Sequence, residues 1–89
     1  MSRTRSDADY TIEALLKGLS VLEALEGNGF EPVTTRRVQQ RTGLSYDFCF
    51  RALTTLLCHG VARQTPGGWV LSPRYIAFCE RAARAQIKL

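Results

Sequence analysis

The chain has 89 residues, of which 45% are hydrophobic, and a formal net charge of +4 at pH 7. This length is typical of one small domain, and the apolar content excludes a wholly disordered chain. The longest apolar runs are only a few residues, too short for a membrane span or a signal peptide, so we expect a cytoplasmic protein with no membrane partner.

A polar segment and an amphipathic helix are predicted at the start of the chain. Residues 1–9 are polar, and we expect a mobile arm there. Apolar residues at helical spacing predict a first helix over residues 12–26. Its wide apolar surface is more than a three-helix core needs. We expect Leu15, Leu19 and Leu22 to face the core, which leaves Val21, Leu25 and a notch at Gly18 for a second copy of the chain.

Residues 33–60 have the pattern of a helix-turn-helix motif. Thr34 can cap a helix that ends at Gly43, and Ser45 can cap a second helix of some twelve residues. Because the turn between them is short, the helices must cross steeply and leave the second one exposed. This arrangement suits insertion of a helix into the DNA major groove.

A small hairpin and a last helix follow the motif. Two strand-like runs, residues 61–64 and 69–72, flank a turn rich in Pro and Gly, and Trp69 is expected to belong to the core. The predicted fold is mainly α with a small β-hairpin, a winged helix-turn-helix over residues 10–74. Residues 75–89 are predicted to form a helix with Ile76 and Cys79 on one side, and we expect this helix to support a homodimer.

Charge is divided sharply along the chain. Residues 32–74 carry six arginines and one acid, whereas residues 7–31 carry six acids and one lysine. We therefore expect the basic part to face the phosphates of double-stranded DNA. The candidate DNA contacts are Arg36, Arg37 and Arg41 on the first motif helix, Ser45, Tyr46, Asp47, Phe50, Arg51 and Thr54 on the second, and Arg63 and Thr65 on the wing.

Catalysis and metal binding are not expected. With one histidine in the chain, no nucleophile–base pair can be assembled, so an enzyme and a catalytic cofactor are excluded. His59 and the adjacent Cys58 point about 100° apart on a helix, and no further ligand pair is spaced to complete a metal site. We expect Cys49, Cys58 and Cys79 to be buried, reduced thiols.

A protein partner is the alternative to DNA. Tyr46, Phe48 and Phe50 cluster at the start of the second motif helix, and exposed aromatic rings suit a protein interface. The competing function is therefore a protein-binding adaptor, such as an anti-repressor or a polymerase-associated factor.

Three segments resemble the isocitrate lyase regulator (IclR) family. The segment KGLSVLEAL, residues 17–25, is similar to the family's RGLxVLEAL, and residues 42–60 resemble its TGLxxxTxxRLLxTLxxxG. The segment GWVLSPR, residues 68–74, is similar to GxYxLGxR. The resemblance implies a winged-helix transcription factor that dimerises through its DNA-binding domain on a palindromic site. The family's large C-terminal effector domain has no counterpart in this sequence, so we expect no small-molecule effector domain.

The sequence departs from the family pattern in the first motif helix. Arg37 stands where the family usually has Glu, and Arg36 precedes it. Two cations in the first turn oppose the helix dipole, at a cost of very roughly 0.3–1 kcal/mol each. A nearby phosphate would offset that cost.

Overall fold

The computed structural model describes residues 10–27 and 29–87, so the predicted arm over residues 1–9 lies outside the described residues. In chain order the elements are α1 (Glu13–Glu23), α2 (Thr35–Thr42), α3 (Tyr46–Cys58), β1 (Ala62–Thr65), β2 (Gly68–Leu71) and α4 (Pro73–Ile87). The structure therefore confirms the predicted fold class, a mainly helical winged helix-turn-helix with one small hairpin.

Local capping fixes the ends of α2 and α3. The Thr34 hydroxyl accepts a hydrogen bond from the backbone N–H of Arg37 at 3.1 Å, and the Ser45 hydroxyl accepts one from Phe48 N–H at 3.1 Å. Helix α2 ends at Gly43, which has a φ of 75° and takes this left-handed conformation without a Cβ penalty. Both caps and the glycine stop are as predicted.

The hairpin is anchored to the helices through the segment before α2. Strands β1 and β2 pair antiparallel, from Ala62 opposite Leu71 to Thr65 opposite Gly68. Val33 and Trp69 exchange backbone hydrogen bonds of 3.0 and 2.7 Å, which adds one further bridge to β2. The Trp69 side chain is only 3% exposed, which confirms its predicted place in the core.

Gly68 allows this anchor to form. Its φ is +137°, and a Cβ atom there would lie 2.6 Å from the backbone carbonyl of Val33. Any other residue would force the wing away from the segment that leads into α2.

The predicted orientation of α1 is wrong except at Leu22, which is half-buried against the core as expected. The core comprises Val21, Leu25, Val33, Val38, Cys49, Leu53, Ala62 and Trp69. Val21 and Leu25, expected to be at a dimer interface, are 0% and 1% exposed, whereas Leu15 and Leu19 are 58% and 44% exposed. Apolar residues cover more than half the circumference of α1, and the side that packs against the other helices is the one that carries Val21. Leu25, just past the end of the helix, joins the same core. Periodicity alone could not distinguish the two sides.

Helix α4 lies at the edge of the domain and has no buried residue. Ile76, Phe78 and Ile87 are 43%, 57% and 82% exposed. The expectation of three buried thiols holds for Cys49 alone, since Cys58 and Cys79 are exposed. None of the helices over the described residues is both long and apolar enough to span a bilayer.

Candidate nucleic-acid interface

Helix α3 has one buried side and one open side. Cys49 and Leu53 are fully buried against the core, and Phe48, Ala52 and Leu56 are packed partly against it. The opposite side exposes the side chains that sequence reasoning selected as readers, Tyr46, Asp47, Phe50 and Arg51. The amphipathic spacing of α3 thus leaves the first half of this helix available to a ligand.

Two polar residues of the open side form an ion pair. The Nη1 atom of Arg51 lies 3.6 Å from Oδ2 of Asp47, one helical turn away. The Thr54 hydroxyl is half-buried and donates to the Phe50 carbonyl oxygen at 2.8 Å, so its proton is already used within α3. Arg51 and Asp47 are therefore better placed than Thr54 to contact the edge of a base.

A cation–π contact joins the first turns of the two motif helices. The Arg36 guanidinium lies over the Tyr46 ring, 5.5 Å from its centroid. Such a contact contributes about 0.5–1 kcal/mol at an exposed site, which offsets the cost of a cation at the start of α2. This contact could not be predicted from the sequence, because the two residues belong to different helices.

The wing closes one side of a cleft beside this contact. The cleft has a volume of about 310 Å³, and its walls include Thr34, Arg36, Tyr46, Gln64 and Thr65. The Thr65 hydroxyl donates to the Gly68 carbonyl oxygen at 2.8 Å and so holds the hairpin turn. Thr34 and Gln64 were missed by sequence reasoning, since each was assigned only to a cap or a strand.

The other four arginines of residues 32–74 divide into two groups by their contacts. Arg37 and Arg63 are exposed, and neither has a carboxylate within 4.0 Å among residues 10–27 and 29–87. Arg41 instead donates from Nη1 to the Ala24 carbonyl oxygen at 3.0 Å, at the end of α1. Arg74 donates in the same way to the His59 carbonyl oxygen at 3.2 Å. The sequence did not predict that Arg41 ties α2 to α1.

Exposed apolar side chains lie on α1 and at the residue before it, at Phe30, and on α4. We call this set the apolar face, and its members are Ile12, Leu15, Leu16, Leu19, Phe30, Ile76 and Cys79. Two adjoining grooves connect the helices, because Phe30, Leu71 and Tyr75 line both of them. The larger groove, about 610 Å³, is also lined by Ile76 and Cys79, two of the predicted interface residues.

Gly18 and Tyr75 belong to the same region of the molecule as the apolar face. Gly18 is half-buried, and a Cβ atom there would meet nothing within 4 Å, so its lack of a side chain is not required by the packing within the chain. Partial burial, together with a hydrogen bond shared with Cys79, raises the pKa of Tyr75 above its ordinary value of 10.0. A phenol is already neutral at physiological pH, and the raised pKa extends its neutral range, which suits an apolar groove.

The helix-turn-helix pair, the hairpin and the open side of α3 together define a winged helix-turn-helix domain. No protein-family model matches the sequence, and no curated protein sequence matches it significantly. The fold is similar to that of an IclR transcriptional regulator from Alicyclobacillus acidocaldarius, with a TM-score of 0.72 and 25% sequence identity over 83% of this chain. The match covers 30% of the length of that regulator. The similarity supports a winged-helix domain of the kind found in a transcriptional regulator.

No group of three or more His, Cys, Asp or Glu side chains able to hold a metal ion occurs within residues 10–27 and 29–87. The polar groups of the candidate site are instead guanidinium, carboxylate and hydroxyl groups on two helices and a hairpin. Their chemistry is that of hydrogen bonding and ion pairing.

Proposed function

We propose that the chain is a sequence-specific, double-stranded DNA-binding transcriptional regulator. The open side of α3 is the observation that carries this proposal. It presents Arg51, Asp47 and two aromatic rings where a helix-turn-helix fold places its reading helix. Residues 10–74 then form the DNA-binding unit.

The distribution of charge supports this function. Arg37 and Arg63 are exposed and lie on α2 and β1, two elements that pack against α3. Arg36 lines the adjoining cleft. These three cations suit phosphate contacts on either side of the groove that α3 would enter. The acids of α1, Glu13 and Glu23, belong to another element of the fold.

Selection of bound sites from random duplex DNA tests the proposal. We expect enrichment of a defined sequence, with affinity for the enriched site that falls steeply as salt rises. The Arg37→Ala variant should weaken binding, whereas Arg84→Ala, which removes the same charge from α4, should have little effect. Absence of any enriched sequence, together with no salt-dependent binding, would overturn the proposal.

We further propose that the regulator acts as a homodimer on a pseudo-palindromic site. The apolar face supports this proposal, because Leu15, Leu19 and Ile76 remain 58%, 44% and 43% exposed. A second copy would bury such a surface and leave two reading helices for half-sites about one helical turn apart, roughly 34 Å. We still propose that the helix predicted over residues 75–89 contributes to dimerisation. Val21 and Leu25 are not part of the proposed interface, because they lie in the core.

One observation favours a second candidate function. Tyr46 and Phe50 are 45% and 46% exposed at the start of α3, where they would also fit a pocket on another protein. A protein-binding adaptor of this kind would show no sequence preference in the DNA selection. Its binding to its partner would be lost in a Phe50→Ala variant that remains folded.

A further inference from the structure

Residues 32–74 carry six arginines and one acidic residue, Asp47. A carboxylate on the reading side of α3 repels the phosphates of any DNA, so it lowers affinity for every sequence. In the first turn it interacts favourably with the helix dipole. The N-terminal cap of α3, however, is already supplied by Ser45, whose hydroxyl accepts from Phe48 N–H at 3.1 Å.

The ion pair of Asp47 with Arg51 contributes little to the stability of the fold, because both side chains are exposed to solvent. The side chain of Arg51 is 74% exposed and that of Asp47 is 80% exposed. Solvent screens exposed pairs of this kind, so they typically contribute only about 0–1 kcal/mol. Stabilisation of the fold is therefore a weak reason for this pair of residues.

Both members of the pair retain hydrogen-bonding groups that point away from the protein. One guanidinium nitrogen of Arg51 faces Asp47 Oδ2 at 3.6 Å, which leaves most of its five N–H donors unused. The Asp47 carboxylate has a second oxygen and accepts only. The pair thus offers donors and an acceptor side by side, one helical turn apart on the open side of α3.

We propose that Asp47 and Arg51 act as one unit in base recognition, in which Arg51 donates to a guanine and Asp47 accepts from the amino group of a neighbouring cytosine. The proposal rests on the proposed DNA-binding function and specifies the bases that α3 reads. Guanine presents the O6 and N7 acceptors to an arginine fork, and cytosine presents the N4 donor to a carboxylate. Against guanine or thymine at the second position, the carboxylate would face acceptors and repel them.

Asp47 therefore has two effects within this unit. It holds the Arg51 side chain over its guanine, as a positioning residue, and it rejects guanine or thymine as the neighbouring base. Specificity achieved by penalising the wrong partner reduces overall affinity, which explains an acid at this position.

The test compares three single variants and one double variant by site selection and by titration of single duplexes. Asp47→Asn keeps the shape and removes the charge. It should raise affinity for random duplex DNA and relax base preference at two adjacent positions, by about 5- to 10-fold at the cytosine. Glu13→Gln is the matched control, because Glu13 also forms an exposed ion pair with a residue one turn on, at 3.3 Å from Lys17. It changes the net charge equally, but on α1, and should leave the preferences as in the wild type.

Arg51→Lys is the further variant. It keeps the positive charge but lacks the planar guanidinium that can donate to guanine O6 and N7 together. Arg51→Lys should lose the guanine preference. The double variant, Asp47→Asn with Arg51→Lys, should lose less base preference than the sum of the losses in the two single variants. Thermal unfolding of each variant separates readout from loss of fold. If Asp47→Asn binds duplex DNA with unchanged preferences at every position, Asp47 is only a first-turn carboxylate and the inference is wrong. If the wild type enriches no sequence, the proposed function itself fails.

Discussion

Trp69 Nε1 donates a hydrogen bond to the Thr35 hydroxyl at 3.0 Å, and both side chains are buried. The bond joins the wing to the first residue of α2, beside the backbone bridge between Trp69 and Val33. The position of the wing relative to the motif helices is therefore fixed by a buried polar contact as well as by apolar packing.

Loss of this bond should destabilise the domain. Thr35→Val keeps the shape of the side chain but leaves the buried indole N–H without an acceptor, which costs roughly 1–3 kcal/mol. Urea unfolding measures the change. Thr55→Val is the control, because the exposed Thr55 hydroxyl bonds only the carbonyl of its own helix, and a shift within about 0.5 kcal/mol is expected there. Equal losses in the two variants would contradict a special role for Trp69.

Removal of a phosphate-binding arginine should change the salt dependence of binding. Arg37→Ala and Arg63→Ala are each expected to weaken binding to all sequences and to lower the salt slope by roughly one unit. Arg41→Ala provides the contrast, since its guanidinium is bonded to Ala24. That variant should lose about 1 kcal/mol of stability and leave the slope nearly unchanged. Loss of a full unit from the salt slope in Arg41→Ala would show that Arg41 also contacts a phosphate, as predicted from the sequence.

A charge on the apolar face should separate the dimer without unfolding the chain. Leu19→Glu is expected to give a folded monomer with much weakened operator binding, measured by light scattering and by titration. Leu57→Glu introduces the same change at a leucine of similar exposure, 38%, outside this face, and should remain dimeric. Val21→Glu, by contrast, should fail to fold, because that side chain is fully buried. A wild type that is monomeric at tens of micromolar, with and without DNA, would refute the dimer.

Thiol labelling should report the same surface independently. Cys58 is exposed and lies outside the apolar face, so it should react rapidly with a maleimide, while the buried Cys49 should react only on unfolding. Cys79 lines the large groove and should be protected in the dimer but reactive in the Leu19→Glu monomer. Mass spectrometry of digested protein identifies each labelled site. Rapid labelling of Cys79 in the dimer would place the interface elsewhere.

The helix-turn-helix could be predicted well because its determinants are local. Thr34, Gly43 and Ser45 act on backbone groups within a few residues of themselves, so their side-chain chemistry can be interpreted from the sequence. The burial of Trp69 followed from alternation along a short strand. The outward direction of Arg51 on α3 followed from a clear helical stripe.

Contacts between distant residues could not be predicted in the same way. The tie from Arg41 to Ala24 and the contact of Arg36 with Tyr46 depend on how separate helices are arranged. The orientation of α1 failed for a related reason. Its apolar surface is wide enough for both a core and an interface, and only the packing against the other helices shows that Val21 belongs to the core.

The lack of any buried residue in α4 has a consequence for folding as well as for assembly. A helix of 15 residues with so little tertiary support is marginal by itself in water. Association would then supply much of its stability, so that helix formation depends on protein concentration. Amide hydrogen exchange should accordingly be fast along α4 in dilute protein and slow in concentrated protein, with α3 protected in both. The final helix would in that case order itself as two chains meet, and DNA carrying two half-sites would promote its folding by bringing them together.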